Sequence, residues 1–359
     1  MIIEQLELVD FRNYRTARFD LTAGTTAVIG RNGQGKTNLA EALVYLATLD
    51  SFRRVPPDAL VRVGADQAIV RAVVRHDDDR ELLVEAEINR SGRNRVLVNR
   101  QRLARTRDLL GVMRVSVFAP DDLVIVKGGP ADRRRFLDDT LVALAVKHDQ
   151  LRLDLDRVVR QRNTLLKQAG GRLTDDTLVT LEVWDTRMAQ LGEQLGHVRS
   201  ALVERLGQLV EQAYRQLAGL PTPVELVYDP DWRRVGLAAA LAAARPDDLR
   251  RGVSTVGPHR DDLGLTIGGL ASRTHASQGE QRTLALALRL GAHRLLAERT
   301  GSPPVLVLDD VLSELDPGRA AALLGNLPSG QVVITTASGL PDAAHPDRVL
   351  HIEAGSVIE

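Results

Sequence analysis

The run Gly30-Arg31-Asn32-Gly33-Gln34-Gly35-Lys36-Thr37 matches the phosphate-cradling pattern G-x-x-x-x-G-K-[ST] in full, and it constrains this chain more than any other feature. Such a loop works only between a buried strand and a helix N-terminus. Both are legible. Thr25–Ile29 is a β-favouring run that ends in glycine, and Leu39, Ala42, Leu43, Leu46 and Ala47 form a helical stripe after the lysine. Glycines let backbone N–H groups turn inward onto phosphate oxygens, and the helix terminus adds positive potential. Lys36 is placed to neutralise the β- and γ-phosphates of ATP, and the Thr37 hydroxyl to ligate Mg²⁺. All eight residues, Gly30 to Thr37, are therefore expected at the nucleotide.

A phosphate loop of this kind needs a carboxylate partner for its metal. Val305-Leu306-Val307-Leu308-Asp309-Asp310 supplies one, as a buried parallel strand ending in two acids. Asp309 is expected to bind Mg²⁺ and Asp310 to orient or deprotonate the attacking water. Roughly 270 residues separate the two motifs, yet they must meet in space. The intervening chain is therefore a long excursion from one core.

The character of that excursion changes near Gly128. Ala131 to Gln168 holds no glycine or proline, Ala169-Gly170-Gly171 breaks the pattern, and Leu173 to Ala218 is helical again. Two helices of about 40 residues at about 1.5 Å per residue predict an antiparallel hairpin reaching about 60 Å. The expected division is a head formed by 1–127 plus 252–359, with 128–251 as an inserted helical arm. Before the arm, 68–75, 82–88 and 95–98 read as strands, with Ser91 to Asn94 as a hairpin turn.

Composition excludes more than it selects. With 44% hydrophobic residues and 3% aromatics, the core must be aliphatic. There is no cysteine, so disulfides, thiolate metal sites and cysteine nucleophiles are excluded. No run of about 18 apolar residues exists, so no membrane span and a cytoplasmic setting are expected. The net charge is zero, which gives no pointer to nucleic acid. Only Lys36, Lys127, Lys147 and Lys167 are lysines, so the arginine excess is a compositional bias and not by itself a phosphate-binding signal.

Ser277-Gln278-Gly279-Glu280-Gln281 opens an apolar helix about 28 residues before the acidic strand. A serine and a glycine at a helix start offer a hydroxyl and free N–H groups to an anion. The chain already has a phosphate loop, so a second anion-binding helix start makes sense if it serves the ATP of another copy. Ser277, Gly279 and Gln281 are thus expected to complete a nucleotide site in trans. Ser313-Glu314-Leu315-Asp316 is expected where two copies touch.

In this order the pieces resemble the head of ABC-type ATPases, an α/β fold with a P-loop and a mixed sheet. Pro120-Asp121, Gly128-Gly129-Pro130, Arg133-Arg134 and Phe136-Leu137-Asp138 resemble a signature of the RecF family. So do Gly257-Pro258-His259-Arg260-Asp261-Asp262-Leu263, Asp309-Asp310 with Ser313 to Asp316 and Arg319, and the opening Phe11-Arg12-Asn13-Tyr14. The resemblance covers the whole chain. It implies ATP and Mg²⁺, slow ATP hydrolysis and an ATP-dependent homodimer, with Lys36, Asp310 and Ser277 in trans as catalytic residues. It also implies binding to double-stranded DNA and single-strand/double-strand junctions, and action with RecR and RecO to load RecA on gapped DNA. Arg12 and Asn13 are expected near the nucleotide.

This chain departs from the general ABC pattern in two places. Asp310 stands where transporters carry glutamate. The strand ending at Thr335-Thr336 lacks the histidine that senses the γ-phosphate there, and no glutamine switch is evident near Pro120-Asp121. Several charged groups have bland readings. Arg133 and Arg134, in the first turn of the arm, are expected to pair with Asp138 or Asp139. His259 to Asp262 is expected to be a hydrogen-bonded brace rather than a metal site. The arginines at 90, 93, 95, 100, 102, 105 and 107 form either a DNA-tracking face or a solvated hairpin. Two other readings stay open: a transporter ATPase subunit, and a condensin-like structural ATPase.

Overall fold

A computed structural model describes every residue except Ser338 and Glu359. By internal packing the chain forms two compact units, and each is described by itself. The first contains 1–122, 212–220 and 285–359; the second contains 123–211 and 221–284. This division differs from the one expected from the sequence. It places 252–284, with the Ser277 helix start, in the second unit.

Two sheets build the first unit. One runs in the order Ser356–Ile358, Arg348–Glu353, Thr25–Ile29, Val332–Thr336, Val305–Asp309 and Val115–Phe118. Four of its five pairings are parallel; the edge strand Ser356–Ile358 folds back antiparallel on its neighbour. Val305–Asp309 and Val332–Thr336 are buried at every position, as near-continuous apolar strands covered on both faces should be. The other sheet is antiparallel, in the order Tyr14–Asp20, Ile2–Phe11, Gln67–Arg75, Glu81–Asn89, Arg95–Val98 and Gln101–Arg102. Its strands alternate between buried and more exposed positions; in Gln67–Arg75, Ala68, Val70, Ala72 and Val74 point inward. Helix Lys36–Thr48 is buried from Leu39 to Ala47, and it shares one apolar core with both sheets. The phosphate loop thus enters a helix wedged between two sheets, which fixes its direction.

The second unit is mainly helical, with a three-stranded sheet of Val224–Val227, Gly264–Ile267 and Leu270–Ala271. The expected first arm helix is two helices, Pro130–Leu144 and Lys147–Ala169. The break needs neither glycine nor proline: Ala145 takes an extended conformation at φ −159°. The first segment carries Arg133, Arg134 and Asp138 to one set of partners, and the second carries Arg162 to another, buried set. Two networks require two helix directions, and tertiary pairing overrides propensity. The second arm helix is continuous, Asp175–Ala218, 44 residues or about 66 Å. Among the described residues no helix is long and apolar enough to cross a membrane.

Candidate nucleotide site

Strand order places the site. Thr25–Ile29 and Val305–Asp309 both flank Val332–Thr336 and point the same way, so Gly30 and Asp309 emerge on one edge of the sheet. Gly33 and Gly35 hold φ of +81° and +123°, conformations that favour glycine. Gly30 lies so close to its neighbour strand that a Cβ would fall 2.4 Å from the Ile352 carbonyl oxygen. Arg31, Asn32 and Gly33 are exposed at the mouth, while Gly35 and Lys36 are buried.

Lys36 turns its ammonium onto the loop itself, donating to the carbonyls of Gly30 at 2.7 Å and Arg31 at 3.0 Å. Burial lowers its pKa, and the carboxylates of Asp310 and Asp309 counter that shift. Asp309 is 3% exposed. Burial raises its pKa, and hydrogen bonds from Thr335 and Thr37 oppose the rise. The Thr335 hydroxyl donates to Asp309 Oδ1 at 2.7 Å and accepts from the Asp310 amide at 3.1 Å. Asp310 sits at φ +52°, and its buried Oδ1 has no hydrogen-bond partner. An orphaned carboxylate oxygen, beside a second buried carboxylate held by a threonine hydroxyl, is a donor set suited to a hard, oxygen-seeking cation and its waters. The residues therefore fit Mg²⁺, which Thr37 and Asp309 would hold. No group of three or more His, Cys, Asp or Glu forms a cage among the described residues.

Around the loop stand residues from the opening strand pair. Asn13 donates to the Gln34 carbonyl at 2.8 Å and accepts from Asn38 at 2.7 Å. The Tyr14 hydroxyl donates to the Gly35 carbonyl at 2.9 Å. Arg12 is differently employed. Its guanidinium grips fully buried Glu41 through Nε at 2.7 Å and Nη2 at 2.8 Å, and donates to the Ala59 carbonyl at 2.9 Å. Glu41 also accepts from Ser51. Sequence reasoning missed Arg53, which reaches Asn38 at 3.4 Å and whose charge lowers the Asp309 pKa. Nothing in its local sequence set it apart from the other arginines.

In the second unit, Ser277 caps helix Gln278–Thr300. Its amide donates to Glu280 at 2.8 Å, and the Glu280 amide donates to the Ser277 hydroxyl at 3.3 Å, a reciprocal capping box. Ser277 is exposed and Gly279 partly so. Gln281 is 4% exposed and spends its amide on the carbonyls of Ser272 and Arg273. It braces the turn before the helix instead of facing solvent, because the i+4 position points back toward the unit's interior.

The remaining charged motifs form a brace. Arg133 makes a bidentate pair with Asp262 at 2.7 and 2.8 Å, and Arg134 donates to the Asp261 carbonyl at 2.6 Å. Arg133 thus pairs with a carboxylate, but with Asp262 where Asp138 or Asp139 is expected, and Arg134 bonds a backbone carbonyl. Asp138 is taken by Arg199 and Asp139 by Arg135. The Asp261 carboxylate accepts from Tyr228 and Trp232, and His259 meets the Ser254 carbonyl at 3.1 Å. The hydrogen-bonded reading of this motif holds. Of the arginine-rich stretch, Arg90 is spent on backbone carbonyls and Arg95 lies 3.7 Å from Glu87, while Arg93, Arg100, Arg102 and Arg105 are exposed.

A parallel sheet carrying a phosphate loop and a paired carboxylate strand, with a second antiparallel sheet and a long helical insertion, is the architecture of an ABC-type ATPase head. The RecF/RecN/SMC N terminal domain family matches residues 2–351. The DNA replication and repair protein RecF of Streptomyces avermitilis is 45% identical, over 94% of each chain. That of Kineococcus radiotolerans is 42% identical, over 100% of this chain and 99% of its own. A solved structure of the recombination mediator protein RecF with ATP, in the RecFOR pathway, superposes with a TM-score of 0.90 at 31% identity, covering 99% of this chain and 96% of that one. An Smc head from Pyrococcus furiosus shares the fold, with a TM-score of 0.59 at 17% identity and coverage of 99% and 94%. The chain belongs to the RecF/RecN/SMC family and, within it, to the RecF proteins.

Proposed function

We propose that this chain is an ATP-dependent DNA-binding mediator of recombinational repair at gapped DNA. It binds ATP at Gly30 to Thr37, with Mg²⁺ at Thr37 and Asp309, and it hydrolyses ATP slowly in the cytoplasm, faster on DNA. Mg²⁺ supplies charge neutralisation at the phosphates. Lys36 exchanges the Gly30 and Arg31 carbonyls for phosphate oxygens. Asp310 orients a water through its free oxygen, and Thr335 keeps both aspartates in place. Two copies close on ATP, each offering its exposed Ser277 and Gly279 to the other's nucleotide, with Ser313 to Asp316 at the contact. Asn13 holds the loop from the side, and Arg12 acts through Glu41. Gln281 supports the signature turn. The 128–251 segment serves as the arm of a head built from 1–127 and 252–359. Partners are duplex DNA and its single-strand junctions, and RecR, with RecO and RecA further along the pathway. The family relation supports these partners; the site supports the nucleotide.

The observation that carries the reading is the orphaned Asp310 oxygen beside the Thr37–Asp309 contact, a site built for a ligand rather than for itself. ATP hydrolysis measured with gapped duplex, blunt duplex and single-stranded DNA tests it. Stimulation by duplex forms is expected, and EDTA should abolish turnover. Indifference to every DNA would remove the repair role and leave the ATPase. Sedimentation with and without ATP tests closure: a wild type that stays monomeric with ATP, or a Ser277→Arg variant that still dimerises, would defeat it.

A further inference from the structure

The phosphate loop is tied to a part of the chain that its motif does not mention. Strands Arg348–Glu353 and Ser356–Ile358 form a two-residue hairpin whose turn is Ala354-Gly355, with Glu353 opposite Ser356. Both turn residues have positive φ, +47° and +76°. That geometry suits a primed hairpin turn, but alanine adopts it at a cost that the surroundings must offset. They do so through one residue. The Ala354 amide donates to the Gln34 side-chain oxygen, and the Gly355 amide donates to the Gln34 carbonyl at 3.1 Å. Asn13 donates to the same carbonyl at 2.8 Å. A Cβ on Gly355 would fall 2.8 Å from the Asn13 carbonyl oxygen. One strand back, a Cβ on Gly30 would strike Ile352. Gln34, in the middle of the phosphate loop, thus aims its side chain at the hairpin turn, and the turn's two amides close on it.

We propose that Gln34 is a positioning residue, and that the 348–358 hairpin is a working part of the nucleotide site. The turn locks Gln34, and Gln34 holds the inward-facing amides of the loop in the phosphate-ready arrangement before ligand arrives. Preorganisation of this kind lowers the cost of binding, so its loss should appear as weaker nucleotide affinity rather than slower chemistry. The inference rests on the reading of this loop as an ATP site.

The test compares MgATP affinity, the KM and kcat of hydrolysis, and amide hydrogen exchange. Gln34→Met keeps the volume and deletes the acceptor. Gly355→Ala displaces the turn from the other side. Val349→Ala, in the same hairpin and 42% exposed, is the control. Each of the first two is expected to raise KM and Kd for MgATP about tenfold, the effect of losing roughly one hydrogen bond, with kcat at saturation near wild type. Ala354 and Gly355 amides should gain protection when MgATP binds to wild type, and less in Gln34→Met. Wild-type affinity in both variants overturns the inference, as does wild-type turn exchange that ignores nucleotide. A general destabilisation that lowers kcat without moving KM overturns it too. A wild type that fails to bind MgATP defeats the ATP reading itself, which separates the two failures.

Discussion

Charge is concentrated in two places in this molecule, and it is used oppositely. In the second unit, fully buried Arg162 bonds Asp185 at 2.7 Å, Asp248 at 2.6 Å and Ser254 at 2.8 Å. Asp185 also takes Arg245, and the Asp248 carboxylate accepts from Thr255. Opposite charges there neutralise one another. In the first unit, Asp309 and Asp310 stand side by side, one oxygen has no partner, and the one nearby lysine is turned onto carbonyls. Each carboxylate of the first arrangement already has an arginine partner, although Arg162 Nη2 has no hydrogen-bond partner of its own. The second holds like charges close together, an arrangement that a bound cation would relieve. Adjacent like charges thus set the candidate site apart from a network in which every carboxylate is answered by an arginine.

The comparison can be broken most severely at Arg162. Arg162→Ala strips buried Asp248 of its arginine and leaves Asp185 with Arg245 alone, and should cost about 3–5 kcal/mol in chemical denaturation. Hydrolysis by whatever remains folded should persist. Lys36→Ala should do the reverse. ATPase activity falls about 100-fold or more, while the thermal midpoint stays level or rises, because a desolvated ammonium has been removed. If Lys36→Ala melts like Arg162→Ala, the division between site and scaffold is wrong. A third effect is set by pH. Burial lowers His259 and His293 to about 4 from their ordinary value. Both are neutral when folded, so the unfolded chain binds more protons between these values. Their stability contribution is present above pH 6.5 and is lost as pH falls toward 4, by up to about 1.4 kcal/mol per pH unit for each. Replacing His293 by Phe should flatten part of that slope in melts from pH 7 to 4.5. The smallest effect belongs to the cap. Ser277→Ala should cost about 1 kcal/mol of stability, and its loss of ATP-driven dimerisation should exceed what so small a change explains.

The sequence disclosed what is local and chemical. The phosphate loop, the acidic strand, the helical stripe from Leu39 to Ala47 and the Ser91–Asn94 turn all follow from spacing and from glycine's conformational freedom. Hidden were features settled by partners far along the chain. The helix break at Ala145 leaves no trace in composition, since it follows from distant partners at Asp261, Asp262 and Arg199. Strand Tyr14–Asp20 is blurred by its charges, Arg18 and Asp20 on the face away from Ala17 and Phe19, and exposed Arg15 near its start. Arg12 was legible as important but not as the partner of Glu41, which lies inside a helical stripe that otherwise reads as apolar. Pairwise choices among many arginines cannot be read from arginine counts.

The left-handed backbone at Asp310 also bears on how this position can change. Aspartate, asparagine and glycine settle there most readily, whereas longer and branched side chains resist that conformation. From the sequence, the short acid looked like a glutamate cut back by one methylene. In the fold it is one of the few residues that suit both the bend and the chemistry. Of the three, only aspartate brings a carboxylate. A lineage drifting at this site can slip to asparagine or glycine without losing its shape. It would then keep a head able to hold nucleotide but without the carboxylate we propose orients water. Such silent locks would look healthy by every measure of folding.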